Sequence, residues 1–188
     1  MTATASLILP IFLSAALVWV ASSLIWTVLP WHKKDFAPLP DEEGTLANLA
    51  AQDLAQGRYM FPYADSPAAM KEERVSKAYN EGAAGFITVL PPGIPNMGTN
   101  MVLSALFNIL VACLVAYVAS LALAPGAEYL AVFRITSVAA WLAYGAGTVY
   151  DAIWFGRPWS GVFKGFGDAL IYALLTGGAF GWLWPGMA

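Results

Sequence analysis

Two aspartates are the residues in this chain whose positions best suit a chemical role. Asp151 and Asp168 lie on either side of a short polar turn, Gly156 to Gly161, and each belongs to an apolar segment long enough to cross a bilayer. A carboxylate at hydrocarbon depth costs about 2.5–3.5 kcal/mol on insertion scales, so both acids need partners. Because intramembrane acids often mark ion paths, the pattern indicates a polar pocket that could serve as a proton or cation site.

The predicted polar cluster contains Asp151, Arg157, Lys164, Asp168 and Tyr172. Arg157 and Lys164 supply the opposite charge, and Tyr172 follows Asp168 at the i,i+4 spacing that puts two residues on one helix face. Lys164 and Asp168 share that spacing, which also fits an ion pair whose only role is to fix a helical hairpin. We favour this structural interpretation, and the proton or cation site remains the alternative.

Other kinds of site find little support. His32 is the single histidine, so bis-histidine haem ligation is excluded, and no second histidine or neighbouring cysteine completes a zinc site. Cys113 stands alone in an apolar segment and is expected to be a packing residue. No phosphate-loop, dinucleotide or nucleophile-elbow motif occurs in a strand–helix context. We therefore predict no metal, no cofactor and no catalytic constellation, and an enzyme is the less expected class.

The composition indicates which elements position these residues. Of the 188 residues, 59% are hydrophobic and 11% are charged, whereas about 25% are charged in a soluble domain. Such a chain can hide its apolar surface only in lipid. The net charge of −3 argues against nucleic acid, because phosphate binding needs clustered Lys and Arg. The expected partners are the lipid bilayer and either other membrane protein subunits or further copies of this chain.

Four apolar segments predict four transmembrane helices, since a spanning helix needs about 20 residues. The segments cover about 7–31, 101–124, 129–154 and 162–184. The first lacks a basic leader and is too long for a signal peptide core, so it is expected to remain in the protein. In the last, Ala173, Gly177 and Gly181 form a small-residue face that would allow close helix packing. The predicted fold is an all-α, four-transmembrane-helix bundle forming one domain over 1–188.

The long connection, 32–100, is predicted to lie outside the membrane and to contain short amphipathic helices. Acidic residues followed by leucines at helical spacing predict one helix after Asp41, and Ser66-Pro67 would start a second that ends at Gly82. Arg58 to Tyr63 is an aromatic strand or loop. The prolines between Gly85 and Met101 predict an irregular segment that returns the chain to the membrane.

The positions of Lys and Arg predict the orientation. Lys33, Lys34, Arg157 and Lys164 fall at one side of the bundle, whereas the other side holds only Arg134, inside the start of a helix. The positive-inside rule then places the long connection in the cytoplasm. Both termini would lie in the periplasm if the protein resides in a bacterial inner membrane.

A resemblance to known proteins extends over nearly the whole chain. It is carried by Trp31-His32-Lys33, by Gly85-Phe86 with Pro95 to Gly98, by Leu123 to Ala127 and by Asp151 to Ser160. In these stretches the chain resembles a group of uncharacterised bacterial inner-membrane proteins. The group has no assigned activity, so the resemblance implies the four-helix topology and no function.

Three functions remain open from the sequence. The favoured one is a non-catalytic accessory or scaffold subunit that packs against other membrane proteins, since the chain has eight tryptophans and small-residue helix faces. The alternative is a small homo-oligomeric transporter or ion pathway lined by Asp151 and Asp168. The third is an intramembrane enzyme of unknown type. A cavity reaching inward from the two acids would favour transport, and sealed ion pairs would favour the structural interpretation.

Overall fold

The computed structural model describes residues 4–186 and is mostly helical. The first three and last two residues of the predicted 1–188 domain lie outside this description. The helices are α1 (Ile8–Thr27), α2 (Glu42–Ala51), α3 (Glu73–Asn80), α4 (Met97–Ala122), α5 (Tyr129–Trp141), α6 (Thr148–Phe155) and α7 (Trp159–Trp182). The strands are β1 (Gly57–Phe61) and β2 (Gly85–Val89).

Three helical segments in the described chain are long and apolar enough to cross a membrane. They are α1, α4 and the stretch Tyr129–Phe155 that contains α5 and α6. The prediction of four such segments needs correction, because the fourth forms α7, which is not among them. Lys164, Asp168 and several glycines lower the hydropathy of α7. One face of α7 is buried in the bundle, whereas large apolar side chains on its other side, among them Phe163, Leu170 and Trp182, are exposed.

Helix α7 is the central packing element of the bundle, with α5 and α1 against it. At Gly177 a Cβ would stand 3.0 Å from the backbone oxygen of Phe133 and 2.0 Å from the hydroxyl oxygen of Ser137. Ala173 and Gly181 are buried on the same helix. The small-residue face expected in this segment therefore forms the close contact between α5 and α7, as the four-residue spacing indicates.

The far end of α7 is held beside the turn that joins α4 to α5. The indole Nε1 of Trp184 donates a hydrogen bond to the carbonyl of Ala124 at 3.0 Å. The backbone N–H of Gly126 donates to the carbonyl of Pro185 at 2.8 Å. Gly126 has φ +77°, a left-handed conformation that favours glycine. Helix α7 thus runs from the end of α1 to the turn between α4 and α5.

One turn of π-helix, Leu142–Ala146, separates α5 from α6. Such turns insert an extra residue into the helical ladder and are frequent at functional sites. At Gly145, a Cβ would lie 3.0 Å from the Cβ of Ala169 on α7, so the π-turn approaches α7 closely. The next residue toward the N-terminus, Tyr144, is partly buried in the bundle.

A second compact unit comprises Ala37–Pro95. Its strands pair antiparallel in a two-stranded sheet, with Tyr59 opposite Ile87. The all-α expectation is therefore wrong for this unit. The irregular segment expected between Gly85 and Met101 is confined to residues 90–96, because β2 precedes it and α4 follows it. The prolines that suggested irregularity begin only at Pro91, after β2 has ended. The strand alternative for Arg58 to Tyr63 is confirmed by β1.

The short helices of this unit are present, with bounds that differ from those expected. Asp41 caps α2, its side chain accepting a hydrogen bond from the backbone N–H of Gly44 at 3.0 Å. The second helix begins at Glu73 and not at Ser66. A single 3-10 turn, Ala69–Lys71, occupies part of the intervening chain.

Candidate functional site

The candidate site begins where the chain leaves α1. Pro30 opens a short 3-10 turn that ends at His32, and this turn directs the imidazole inward. His32 is only 7% exposed, whereas its neighbours Trp31 and Lys33 are exposed. The indole of Trp26 stacks on the imidazole, with 3.9 Å between ring centroids and 1° between the planes. The only histidine of the chain is therefore a buried, oriented group.

Both nitrogens of this imidazole face carboxylates. Nε2 lies 2.8 Å from Oδ2 of Asp168, which reaches it from α7. Nδ1 lies 2.5 Å from Oδ2 of Asp35, three residues further along the chain. The backbone N–H of Asp35 also donates to the carbonyl of His32 at 3.0 Å, which closes the local turn.

Lys164 completes a linear cluster, which we call the charge chain: Lys164, Asp35, His32 and Asp168. The ammonium of Lys164 is hydrogen-bonded to Oδ1 of Asp35, the carboxylate oxygen not used by His32. The His32 and Asp168 side chains are 5% and 8% exposed, and those of Asp35 and Lys164 are 16% and 26% exposed. The charge chain thus runs from a partly exposed lysine to a buried aspartate.

The hydrogen bonds restrict where the protons of the charge chain can lie. A neutral imidazole has one N–H, whereas an imidazolium has two. Either His32 is an imidazolium between two carboxylates, or the ring is neutral and one carboxyl carries the proton. These two states have the same total charge and differ only in the position of one proton. The arrangement can therefore accept, hold and pass on a proton.

The partners of Asp35 perturb the titration of its carboxyl group. The hydrogen bond from Lys164 is the main cause that lowers the pKa of the Asp35 carboxyl below its ordinary value of 3.8. The hydrogen bond to His32 lowers this pKa further, and partial burial opposes both effects. Asp35 is consequently a carboxylate at neutral pH.

Aromatic side chains continue from Asp168 into the bundle. Tyr172 lies one helical turn further along α7 and is buried. The ring of Tyr144, from the π-turn, meets it edge to face, with 5.4 Å between centroids and a 75° interplanar angle. Beyond the tyrosines, the hydroxyls of Thr176 and Thr136 donate to carbonyls of their own helices, each at 2.8 Å.

A cavity of about 510 Å³ opens beside the first turn of α7. Three cationic side chains line it, those of Lys34, Arg157 and Lys164, together with one carboxylate, that of Asp35. Lys164 and Asp35 therefore belong both to the charge chain and to the cavity wall. Neither Asp151 nor Asp168 lines this cavity, so it is not the cavity that transport through those two acids would require. The cavity is electropositive in formal charge, and that charge suits an anion.

The five predicted cluster residues do not form one group: Lys164, Asp168 and Tyr172 lie along α7, Arg157 shares the cavity with Lys164, and Asp151 lies at the surface. Asp168 and Tyr172 share the buried face of α7, and Lys164 joins Asp168 only indirectly, through Asp35 and His32. Asp151 is exposed, and its Oδ2 lies 4.0 Å from Nη1 of Arg157. Arg157 lines the cavity.

Two central members, His32 and Asp35, are absent from the polar cluster predicted from the sequence. His32 is considered there only as a haem or zinc ligand. The available signal was local: a proline that starts a turn directly after an apolar helix, then a histidine and an aspartate spaced i,i+3. Such spacing lets the two side chains meet across one turn. No local sequence pattern indicates that these two residues pair with Asp168 and Lys164 of α7.

The charge chain does not form a metal site. Among residues 4–186, no group of three His, Cys, Asp or Glu side chains is arranged to hold a metal ion. The reason is geometric, because Asp35 and Asp168 lie on opposite nitrogens of His32 and cannot converge on a single ion bound to one of them.

Comparisons with protein families, curated proteins and solved structures found no match for this chain. The case for function therefore comes from the geometry of the described residues.

Proposed function

We propose that this protein is a four-span, multi-pass protein of a bacterial inner membrane, with α7 as the fourth span. Supporting a fourth crossing, α7 starts near the end of α1 and finishes beside the turn between α4 and α5. Its 24 residues are sufficient for a bilayer. Its exposed side carries the large apolar side chains of Phe163, Leu170 and Leu174, which suit contact with lipid. The end carrying Lys34, Arg157 and Lys164 is assigned to the cytoplasm.

Within this bundle, we propose a small transporter or ion pathway in which the charge chain exchanges protons from the cytoplasmic side. The observation that carries this proposal is the placement of His32 between two carboxylates, with both ring nitrogens engaged. Histidine is the side chain whose charge changes most readily near neutral pH. Ionisable groups buried in membrane helices commonly belong to proton or substrate paths.

The ring supplies a simple transfer step. A proton accepted at Nδ1 from the Asp35 side can be matched by release of the Nε2 proton to Asp168, leaving the total charge of the ring unchanged. Asp35 rests as a carboxylate and holds the proton only in transit, so each transfer begins with a proton that arrives from the cavity and ends when Asp168 releases one and the ring returns to its starting tautomer. The transport hypothesis based on sequence used Asp151 and Asp168. The proposed route keeps Asp168 and pairs it with His32, and Asp151 lies outside the route.

An accessory or scaffold role, in contact with other membrane proteins or with further copies of the chain, is the second candidate. It is favoured by the second compact unit, which carries exposed apolar and aromatic side chains outside the proposed spans. Tyr63, Leu90 and Ile94 are 65%, 63% and 98% exposed. Exposed apolar surface of this kind marks interaction sites when it is contiguous.

Proton flux into proteoliposomes tests the transport proposal. The purified chain is reconstituted with a trapped pH-sensitive dye, and a potassium diffusion potential drives proton entry. We expect flux from the wild type, loss of flux in Asp168→Asn and His32→Gln, and wild-type flux in Asp151→Asn. The last variant is a matched control, because it removes an exposed carboxylate from the same end of the bundle. Only monodisperse protein with wild-type helical content is compared.

The outcomes separate the two candidates. No flux from the wild type, or equal loss of flux in Asp151→Asn, would reject proton exchange through the charge chain. Gentle extraction from the native membrane, followed by native mass analysis, then tests the accessory role. A stoichiometric complex with other membrane proteins would support that role, and a chain found alone would reject it.

A further inference from the structure

We propose that the cavity beside the first turn of α7 binds a dianionic phosphate monoester group, with Lys34, Arg157 and Lys164 as its cationic ligands. This site deepens the proposed transport function and rests on it, because the bound phosphate would be the ion that accompanies protons across the membrane. The binding step itself is argued from the cavity and can be measured without transport.

The charge of the cavity fits a dianion. Lys34, Arg157 and Lys164 contribute three positive charges and Asp35 one negative charge, so the lining has a formal charge of +2. A phosphate monoester carries about −1.5 to −2 at neutral pH. A sulfate monoester carries a single negative charge and would leave the lining under-neutralised. The lining should therefore favour phosphate over sulfate on an otherwise identical ligand.

Arg157 is the side chain best suited to recognise the phosphate oxygens. Its guanidinium can present two parallel N–H donors, the geometry that favours arginine at phosphate sites. Its contacts within the described chain are long: 3.5 Å from Nη2 to the carbonyl of Gly161, and 4.0 Å from Nη1 to Asp151. An incoming phosphate can therefore replace these contacts at little cost.

The N-terminus of α7 adds to the positive electrostatic potential of the cavity. Ser160 and Gly161 line the cavity from the first turn of this 24-residue helix. The backbone N–H of Gly161 already donates to the carbonyl of Pro158 at 3.0 Å, so the contribution of this end is the partial positive charge of the helix dipole. This contribution supports the cationic side chains, which carry the main part of the argument.

The remaining wall is suited to an organic group attached to the phosphate. Trp26, Phe36 and Pro158 line the cavity together with the charged residues. The volume of about 510 Å³ lies within the usual range for small-molecule sites, about 300–1,000 Å³. The phosphate could belong to a water-soluble monoester or to a lipid headgroup, since both present the same chemistry.

Lys164 connects this cavity to the charge chain. Its ammonium is hydrogen-bonded to Asp35, and Asp35 is hydrogen-bonded to His32. A phosphate that draws Lys164 toward itself weakens the bond to Asp35, whose other charged neighbours in the lining are Lys34 and Arg157. Anion binding and the proton distribution of the charge chain are thereby linked through one side chain.

Calorimetric binding of phenyl phosphate, to the full chain in phosphatidylcholine nanodiscs, tests the soluble form of the ligand. We expect saturable binding by the wild type, at least tenfold weaker binding of phenyl sulfate, and at least tenfold loss of phenyl phosphate affinity in Arg157→Gln. Lys33→Gln is the matched control, because it removes the same charge from an exposed lysine that does not line the cavity. Its affinity should remain within twofold of the wild type.

A second arm tests the lipid form. Nanodiscs with and without phosphatidate are compared by native mass spectrometry for wild type, Arg157→Gln and Lys33→Gln. Phosphatidate retained by the wild type and by Lys33→Gln, but lost in Arg157→Gln, would identify a lipid headgroup as the source. Absence of binding in both arms, or equal loss in the two variants, would overturn the inference.

The results remain distinguishable from those of the proton-flux experiment. Phosphate binding without wild-type proton flux would reject the transport function and leave the site standing. Proton flux without phosphate binding would reject the site and leave proton exchange standing.

Discussion

Nε2 of His32 lies 2.8 Å from Oδ2 of Asp168, although the two residues are 136 positions apart in the chain. This contact ties the turn after α1 to the interior of α7. The side chains are 5% and 8% exposed, so water screens the interaction little. Removal of His32 leaves the buried Asp168 carboxyl without this hydrogen bond, and removal of Asp168 leaves Nε2 of the buried imidazole without its partner.

Asp168→Asn should therefore destabilise the bundle. Removing one partner of a buried, hydrogen-bonded charge pair typically costs about 3–5 kcal/mol, because the remaining group is left uncompensated. We expect a lower free energy of unfolding and a lower Tm, measured by denaturation of the detergent-solubilised protein and followed by circular dichroism.

Asp151→Asn is the control for this measurement. Asp151 is exposed, and its contact with Arg157 is long at 4.0 Å. Exposed ion pairs contribute about 0–1 kcal/mol. If the two variants lost similar stability, the contact between His32 and Asp168 would not be the stabilising interaction inferred here.

The second prediction concerns the pH dependence of the Asp35 contribution. Lys164, and then His32, hold the pKa of the folded-state carboxyl below its ordinary value of 3.8. As pH falls through 3.8, the unfolded chain binds a proton at this site before the folded protein does, which favours unfolding. The stabilisation by ionised Asp35 is therefore complete above this value and is lost as pH falls through the lower folded-state pKa.

Unfolding of wild type and Asp35→Asn across the acid range measures this effect. The wild type should be the more stable protein at pH 6, and the difference should shrink progressively below pH 3.8. Subtracting the two curves removes the titration of the other carboxyls. A difference that stayed constant across the acid range would show that Asp35 gains no stability from its charge.

Sequence reasoning located the apolar helices because hydropathy and length are local properties. The expected segments about 101–124 and 129–154 overlap α4 and the stretch Tyr129–Phe155. The fourth expected segment forms α7, which is less apolar than the other three because Lys164, Asp168 and several glycines lie within it. Hydropathy does not distinguish a lipid-facing helix from one at the centre of a bundle.

The sequence indicates only some of the residues that form the site. Asp168 and Lys164 drew attention because charge is rare in an apolar segment, and Tyr172 because it shares a helix face with Asp168. The expected Lys164–Asp168 ion pair relied on i,i+4 spacing, whereas the structure gives each of them a partner from the turn after α1. Packing of α1 against α7 decides this choice, and helix spacing alone cannot reveal it.

The third prediction concerns membrane topology. Glu73 and Glu128 lie on opposite sides of α4 in the chain, so α4 as a spanning helix places them on opposite sides of the membrane. In a Cys113→Ala background, an impermeant thiol reagent should label Glu73→Cys only from the cytoplasm and Glu128→Cys only from the periplasm. The reverse pattern would invert the proposed orientation, and labelling of both from one side would show that α4 does not cross.

The last prediction compares two adjacent glycines of α7. A Cβ at Gly177 would meet the hydroxyl oxygen of Ser137 at 2.0 Å and the backbone oxygen of Phe133 at 3.0 Å, whereas nothing lies within 4 Å of a Cβ at Gly178. Alanine at Gly178 gains helix propensity, at most about 1 kcal/mol, and adds no clash. Alanine at Gly177 has the same gain but forces α5 and α7 apart, and such overpacking typically costs about 1–3 kcal/mol.

The two substitutions should therefore move stability in opposite directions. Thermal unfolding should show Gly177→Ala below the wild type in Tm and Gly178→Ala at or above it. Combining Gly177→Ala with Ser137→Ala removes the nearest obstruction and should recover part of the loss, because the contact with the Phe133 backbone remains. Equal effects of the two single substitutions would mean that α5 and α7 do not approach each other at Gly177 as closely as described.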